Sequence, residues 1–153
     1  MTLLVTGATG RVGRQVVHQL VQRGADVRVL VRDPSKANFP AAVNVVQGDM
    51  LDIDSLRTAF SGVRTLFLLN GVAGDEFTQA LIALNLARES GIERVVYLGQ
   101  QRGVVGGRSV ECRRESRGRG INLRFVGSRW GDRASALCPA LGNAHQKSFR
   151  TAV

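Results

Sequence analysis

Only two cysteines, Cys112 and Cys138, occur among the 153 residues. Their separation matches no metal-binding or redox spacing, which excludes a disulfide scaffold and a cysteine metal site. No apolar run approaches the roughly 18 residues that mark a membrane-spanning helix, so no membrane association is expected. The start, Met1-Thr2-Leu3-Leu4-Val5, has no basic segment or cleavage site and runs straight into an apolar stretch. No signal peptide is therefore expected, and a cytoplasmic location follows by default. His18 falls among polar positions and reads as a solvated side chain, not a ligand. Acid is short too, at 12 Asp and Glu against 21 Lys and Arg, a net charge of +9. That shortage is local. Residues 1–98 carry 10 basic and 9 acidic side chains, whereas residues 99–153 carry 11 and 3. A strongly basic chain usually points to nucleic acid. Here the basicity belongs to the tail, so the two parts are read separately.

What the first part does contain is glycine at a telling spacing. Leu3-Leu4-Val5 runs into Thr6-Gly7-Ala8-Thr9-Gly10-Arg11-Val12-Gly13, with glycines at 7, 10 and 13. A buried strand, a tight turn and a helix start follow from this pattern. Gly7 permits the turn, Gly10 lets a pyrophosphate approach the backbone, and Gly13 lets the helix pack closely on the strand. Free N–H groups at the helix start, aided by the helix dipole, would face the phosphates. A glycine triplet alone is a weak signal. A strand before it and a helix after it are the context that a dinucleotide fingerprint requires.

The rest of residues 1–98 alternates strands and helices. Val12, Val16, Val17, Leu20 and Val21 form one apolar stripe of the first helix, opposite Arg14, Gln15, Gln22 and Arg23. Gly24 ends that helix. Val27-Arg28-Val29-Leu30-Val31 is the second strand, and Pro34 turns the chain after it. The connection over 33–42 is too short and proline-bounded for a full helix. Val43 to Val46 are a third strand. Asp52 or Asp54 caps a helix holding Ile53, Leu56 and Phe60, which Gly62 stops. Thr65-Leu66-Phe67-Leu68-Leu69 is a continuously apolar, central strand. A loop follows at 70–74, then a helix from about 75 to 90 with Phe77, Leu81 and Leu84 inward. Gly91 caps it, and Val95-Val96-Tyr97-Leu98 is the fifth strand. The alternation predicts an α/β, doubly wound, Rossmann-like parallel sheet in the order 3-2-1-4-5. Its ligand crevice lies at the carboxyl ends of strands 1 and 4.

Candidate contacts follow from that crevice. Arg32 comes after the second strand, where this fold reads the adenosine ribose; an arginine there favours the 2′-phosphate of NADP(H) over the bare hydroxyl of NAD(H). Asp33 beside it works against that preference, so NAD(H) stays open. Arg11, at the helix start, is within reach of a phosphate. Asp49 and Met50 follow the third strand, where a side chain meets the adenine edge; a turn aspartate is the other reading of Asp49. Leu69 and Asn70 end the fourth strand, where Asn70 is either a contact to the nicotinamide ribose or a turn residue.

Thr6-Gly7-Ala8-Thr9-Gly10-Arg11-Val12-Gly13, with Val31-Arg32-Asp33-Pro34, Gly48-Asp49-Met50 and Val95-Val96-Tyr97-Leu98, resembles the NmrA-like group. These are atypical or extended relatives of the short-chain dehydrogenases. The resemblance covers residues 1 to about 98. It implies NADP(H) binding by 7–13, Arg32 and Asp49, and either hydride transfer to quinones or small carbonyl compounds or non-enzymatic sensing of the dinucleotide through a protein partner. Tyr97-Leu98-Gly99 departs from the usual Tyr-Leu-Ser of such relatives. Many short-chain dehydrogenases carry a Tyr-x-x-x-Lys pair for proton transfer. The one tyrosine here is Tyr97, and residue 101 is Gln101, so that pair is missing. No catalytic residue is assigned, and weak or absent turnover is expected.

At Gly99 the character changes. Ten arginines and nine glycines occur in 99–153, without sustained apolar periodicity. Ile121-Asn122-Leu123-Arg124-Phe125-Val126 is the one stretch that reads as a strand. Three origins fit this Arg/Gly-rich tail: a reading-frame shift near codon 99, which the composition favours; a native, poorly ordered basic tail; or a nucleic-acid-binding arm around Arg117-Gly118-Arg119-Gly120. One such repeat does not make a nucleic-acid interface, so the expected partners are a dinucleotide and a small-molecule substrate. A protein partner or a second copy of the chain stays open. The expected fold is thus truncated at about residue 98. A tail that cannot pack would leave the fifth strand as an exposed edge, an aggregation liability.

Overall fold

In the computed structural model, residues 1–70 and 76–98 are described in full, and beyond them the backbone of 109–113 and 122–126. The chain runs β1 (Thr2–Val5), α1 (Arg11–Gln22), β2 (Asp26–Val31), a 3₁₀ turn (Pro34–Lys36) and β3 (Val43–Gln47). It continues with α2 (Ile53–Phe60), β4 (Val63–Leu68), α3 (Glu76–Glu89), β5 (Arg94–Leu98), β6 (Ser109–Arg113) and β7 (Asn122–Val126). The strands form one sheet in the order β3-β2-β1-β4-β5-β7-β6. The first five are parallel neighbours, in the 3-2-1-4-5 order that the alternating pattern predicts.

Side chains alternate across the sheet, so each strand feeds two cores. Leu4, Leu30, Leu66, Leu68, Val95 and Tyr97 pack with Leu56 and Phe60 of α2 and with Ala80, Ala83, Leu84 and Ala87 of α3. Val5, Val27, Val29, Val31 and Val43 pack on the other face, with Val17 of α1. Helix α1 therefore covers one face and α2 and α3 cover the other, which is what double winding means. Local chemistry sets the boundaries. Gly24, Gly62 and Gly91 have φ of +70°, +71° and +73°, and each ends the helix before it. The Asp52 carboxylate caps α2 by accepting the Asp54 N–H at 3.1 Å.

The structure corrects the sequence reading in two places. Val12 and Phe77 were expected on inward stripes, yet they are 47% and 37% exposed, and Ile53 at the start of its helix is 44% exposed. All three sit in the first turn of a helix. In a parallel sheet every such turn overhangs the carboxyl edge of the strands, where periodicity still points inward but no core lies beneath. The second correction concerns the sheet edge. β5 is not exposed: β7 pairs with it in parallel from Arg94 opposite Asn122 to Leu98 opposite Val126. β6 then pairs antiparallel with β7. The backbone donors and acceptors of an edge strand seek a partner, and the 122–126 segment has the β-branched and aromatic residues to supply one. The Arg117-Gly118-Arg119-Gly120 motif, Trp130, Cys138 and the loop at 71–74 lie outside the described residues.

Candidate functional site

Because β3, β2, β1 and β4 are parallel neighbours, the residues that follow them share one edge of the sheet. Thr6 to Gly13, Arg32, Asp49 with Met50, and Leu69 with Asn70 all fall there. The turn after β1 is tied directly to the end of β4. The Thr6 N–H donates to the Phe67 carbonyl at 3.0 Å. The Thr6 hydroxyl donates to the Leu69 carbonyl and accepts the Leu69 N–H, both at 2.9 Å. Thr6 is fully buried, so this clasp extends the β1–β4 ladder by one side chain. Its hydroxyl is engaged on both sides; Thr6 shapes the crevice by position.

Space makes Gly7 and Gly13 obligatory. Gly7 has φ +62°, and a Cβ on it would lie 2.6 Å from the Leu69 carbonyl oxygen. A Cβ on Gly13 would lie 2.2 Å from the Gly7 carbonyl oxygen and 2.7 Å from Ala8 Cα. The helix thus presses on the turn at Gly13, and Ala8 is buried beneath it. At Gly10, among the described residues, a Cβ would meet only the Gly7 carbonyl oxygen, at 3.3 Å. Gly10 caps α1 without any side-chain hydrogen bond, and no acid stands in the first turn. The first intrahelical bond runs from the Arg14 N–H to the Gly10 carbonyl. The N–H groups of Arg11, Val12 and Gly13 precede it, and helix geometry leaves them without an intrahelical acceptor. An uncapped helix start beside an open glycine fits a pyrophosphate.

Beyond β2, Arg32 is exposed, and among the described residues its guanidinium has no hydrogen-bond or ion-pair partner. Its neighbour Asp33 is engaged in the 3₁₀ turn. One carboxylate oxygen accepts the Ser35 N–H at 3.0 Å and the Ser35 hydroxyl at 2.6 Å. The other lies 3.0 Å from Lys36 Nζ. The Ser35 hydroxyl, then the Lys36 ammonium, hold this carboxyl below the usual aspartate range. Arg11 is also exposed and without a partner among the described residues.

Asp49 is half-buried and shows the turn geometry that was its alternative reading. Its carboxylate accepts the Leu51 N–H at 2.9 Å, and its own N–H donates to the Ser55 hydroxyl at 3.1 Å. Met50 packs against the core shared by α2 and α3. Asn70 is 3% exposed. Its amide donates to the Glu76 carbonyl at 2.7 Å, while its Oδ1 is buried with no partner among the described residues. A buried acceptor left open in this way calls for a donor.

Sequence reasoning missed Glu76. The buried Tyr97 hydroxyl donates to its carboxylate at 3.2 Å. Burial, then the Glu76 charge, push the phenol above its ordinary range. Tyr97 is thus held as a protonated donor to Glu76. No sequence spacing reports this pair, since 21 residues separate its members.

Fold and edge together define an α/β protein built to hold a dinucleotide. The sequence profile of a family described as NAD(P)H-binding matches residues 7–107, and the chain belongs to that family. It is 32% identical over 125 residues to a 3β-hydroxysteroid dehydrogenase/Δ5→4-isomerase of Mycobacterium tuberculosis, across 71% of this chain and 34% of the relative. Among solved structures, the triphenylmethane reductase of Citrobacter sp. complexed with NADP(H) superposes with a TM-score of 0.59 at 31% identity, over 65% of this chain and 37% of that one. The NADPH-dependent quinone oxidoreductase of Escherichia coli complexed with NADPH superposes with a TM-score of 0.57 at 29% identity, over 63% and 36%. The chain spans about a third of the length of the curated relatives it matches. It is an NAD(P)H-binding protein related to NAD(P)H-dependent oxidoreductases. Among the described residues no helix is long and apolar enough to cross a membrane.

Proposed function

We propose that the chain binds NADP(H) in preference to NAD(H), in the manner of the NmrA-like group. One observation carries the preference. Among the described residues Arg32 stands unpaired after the second strand, where this fold reads the ribose, while the acid beside it is turned into its own loop. The N–H groups of Arg11, Val12 and Gly13 take the pyrophosphate, with the Arg11 side chain beside them. Asp49 and Met50 lie toward the adenine. Leu69 lines the crevice, and the open Oδ1 of Asn70 accepts a hydroxyl of the nicotinamide ribose. The dinucleotide supplies the hydride, and the protein binds and orients it. An NADPH-complexed quinone oxidoreductase among its structural neighbours supports a quinone or small carbonyl compound as acceptor. Titration calorimetry of the 153-residue chain with NADPH and NADH tests the reading, and equal affinities would refute the preference.

A second reading rests on Tyr97. A phenol buried against a carboxylate and raised above its ordinary range is a poor proton donor to substrate. That favours a protein that binds the dinucleotide without turning it over and signals to a protein partner. NADPH oxidation with a panel of quinones separates the two, since a sensor binds and does not oxidise.

A further inference from the structure

Asp33 follows the cofactor-reading Arg32 directly, and that is a chemical conflict. In this fold an acid at the end of the second strand accepts a ribose 2′-hydroxyl and repels a 2′-phosphate. Arg32 and Asp33 would thus give opposite instructions, and adjacent opposite charges would also tend to pair and cancel. The structure shows neither outcome. The guanidinium is unpaired among the described residues. The carboxylate is held by three donors from its own turn: the Ser35 N–H, the Ser35 hydroxyl and Lys36 Nζ. Pro34 opens the turn, and its ring presets φ there. Protonation cannot silence this acid near neutral pH, since an aspartate is ionised there and its partners lower its pKa further. What offsets its charge is Lys36.

We propose that Ser35 and Lys36 mask Asp33 and thereby set the cofactor preference, leaving Arg32 to read the 2′-phosphate unopposed. The inference rests on the NADP(H) reading above and assigns Lys36 a positioning and charge-offsetting role in it. The Lys36–Asp33 pair is exposed and contributes little to stability. Its effect on an anion held next to it is another matter, since losing Lys36 restores a full negative charge at the 2′ position. Freed from Lys36, the second carboxylate oxygen also becomes an acceptor for a ribose hydroxyl, which suits NADH. Lys36 should therefore matter only while Asp33 carries its charge. A lysine that touched the 2′-phosphate itself would matter equally with or without Asp33.

The test is a double-mutant cycle on the full chain. Dissociation constants for NADPH and NADH are measured by calorimetry for the wild type, Lys36→Met, Asp33→Asn and the double variant, at low and high salt. Thermal melts verify that each variant is folded. The wild type should prefer NADPH. Lys36→Met should reduce that preference by about threefold to tenfold at low salt, and less at high salt, as charge repulsion screened by ions requires. Asp33→Asn should keep or sharpen the preference, and the double variant should match Asp33→Asn. An equal loss from Lys36→Met in both backgrounds overturns the proposal and makes Lys36 a direct phosphate contact. An unchanged ratio in Lys36→Met overturns it as well, while the NADP(H) reading stands. A wild type that binds neither cofactor, or both alike, overturns the NADP(H) reading and this inference together.

Discussion

After β1 the chain turns through Gly7 at φ +62°, and α1 presses on that turn so closely that Gly13 has no room for a Cβ. After β2 it turns through Pro34, and three donors from the turn hold one carboxylate. Both turns border the same crevice. The first is built from backbone and excluded volume, and neither Gly7 nor Gly13 can take a side chain without moving the backbone around it. The second is built from exposed charges, and each can be altered without disturbing a core. On the proposed reading such a division separates two tasks: steric closure would hold the pyrophosphate common to every dinucleotide, and solvated charge would choose between cofactors that differ by one phosphate.

The comparison breaks most visibly at Gly13. Gly13→Ala places a methyl 2.2 Å from a backbone oxygen. It should cost about 3 kcal/mol, the top of the usual overpacking range, and abolish dinucleotide binding. Thermal melting and calorimetry would show both; an unaltered melt would mean that the helix does not press on the turn. Next comes Thr6→Val, which removes both hydrogen bonds of the clasp to Leu69. A loss of about 2 kcal/mol is expected from leaving those backbone groups unpaired, read from denaturant unfolding. Arg32→Ala belongs to the other kind of turn. It should leave the melt unchanged and weaken NADPH by about 1.5 kcal/mol, roughly tenfold, while NADH is unaffected. A matching loss for NADH would move Arg32 from the 2′-phosphate to the pyrophosphate.

The smallest effect is on pH dependence. The folded-state pKa of Asp33 is depressed, so its share of stability is complete above the unfolded value of an aspartate. It is lost as pH falls through the lower, folded value. Because the carboxylate is solvent-exposed, the difference between the wild type and Asp33→Asn should be slight at neutral pH and should vanish in acid. Melting temperatures across the acid range measure it, and a difference that grows on acidification would contradict the depressed pKa.

Much of this was readable from local chemistry. Gly24, Gly62 and Gly91 marked helix ends, Asp52 marked a helix start, and the apolar runs at β1, β2 and β4 marked parallel strands with both faces covered. The glycine triplet marked the turn between β1 and α1. Periodicity misled at Val12 and Phe77, because a stripe says which way a side chain points and not whether a neighbour waits there. Asp33 was read as an opponent of Arg32, since adjacency in sequence says nothing of which way a carboxylate turns. Glu76 escaped notice because its partners, Asn70 and Tyr97, come from two different strand ends.

Helix boundaries and the dinucleotide turn were thus determined by the sequence itself, because each depends on residues within one turn or one strand of each other, and the strand order followed from the regular alternation of strands and helices. The pairing of β7 against β5, the Thr6–Leu69 clasp, the Asn70 Oδ1 left without a partner among the described residues and the Tyr97–Glu76 hydrogen bond were decided only in the tertiary structure. Those features need backbone and side chains far apart in the chain to meet, and no local preference encodes which polar atom will find a partner and which will be left for a ligand.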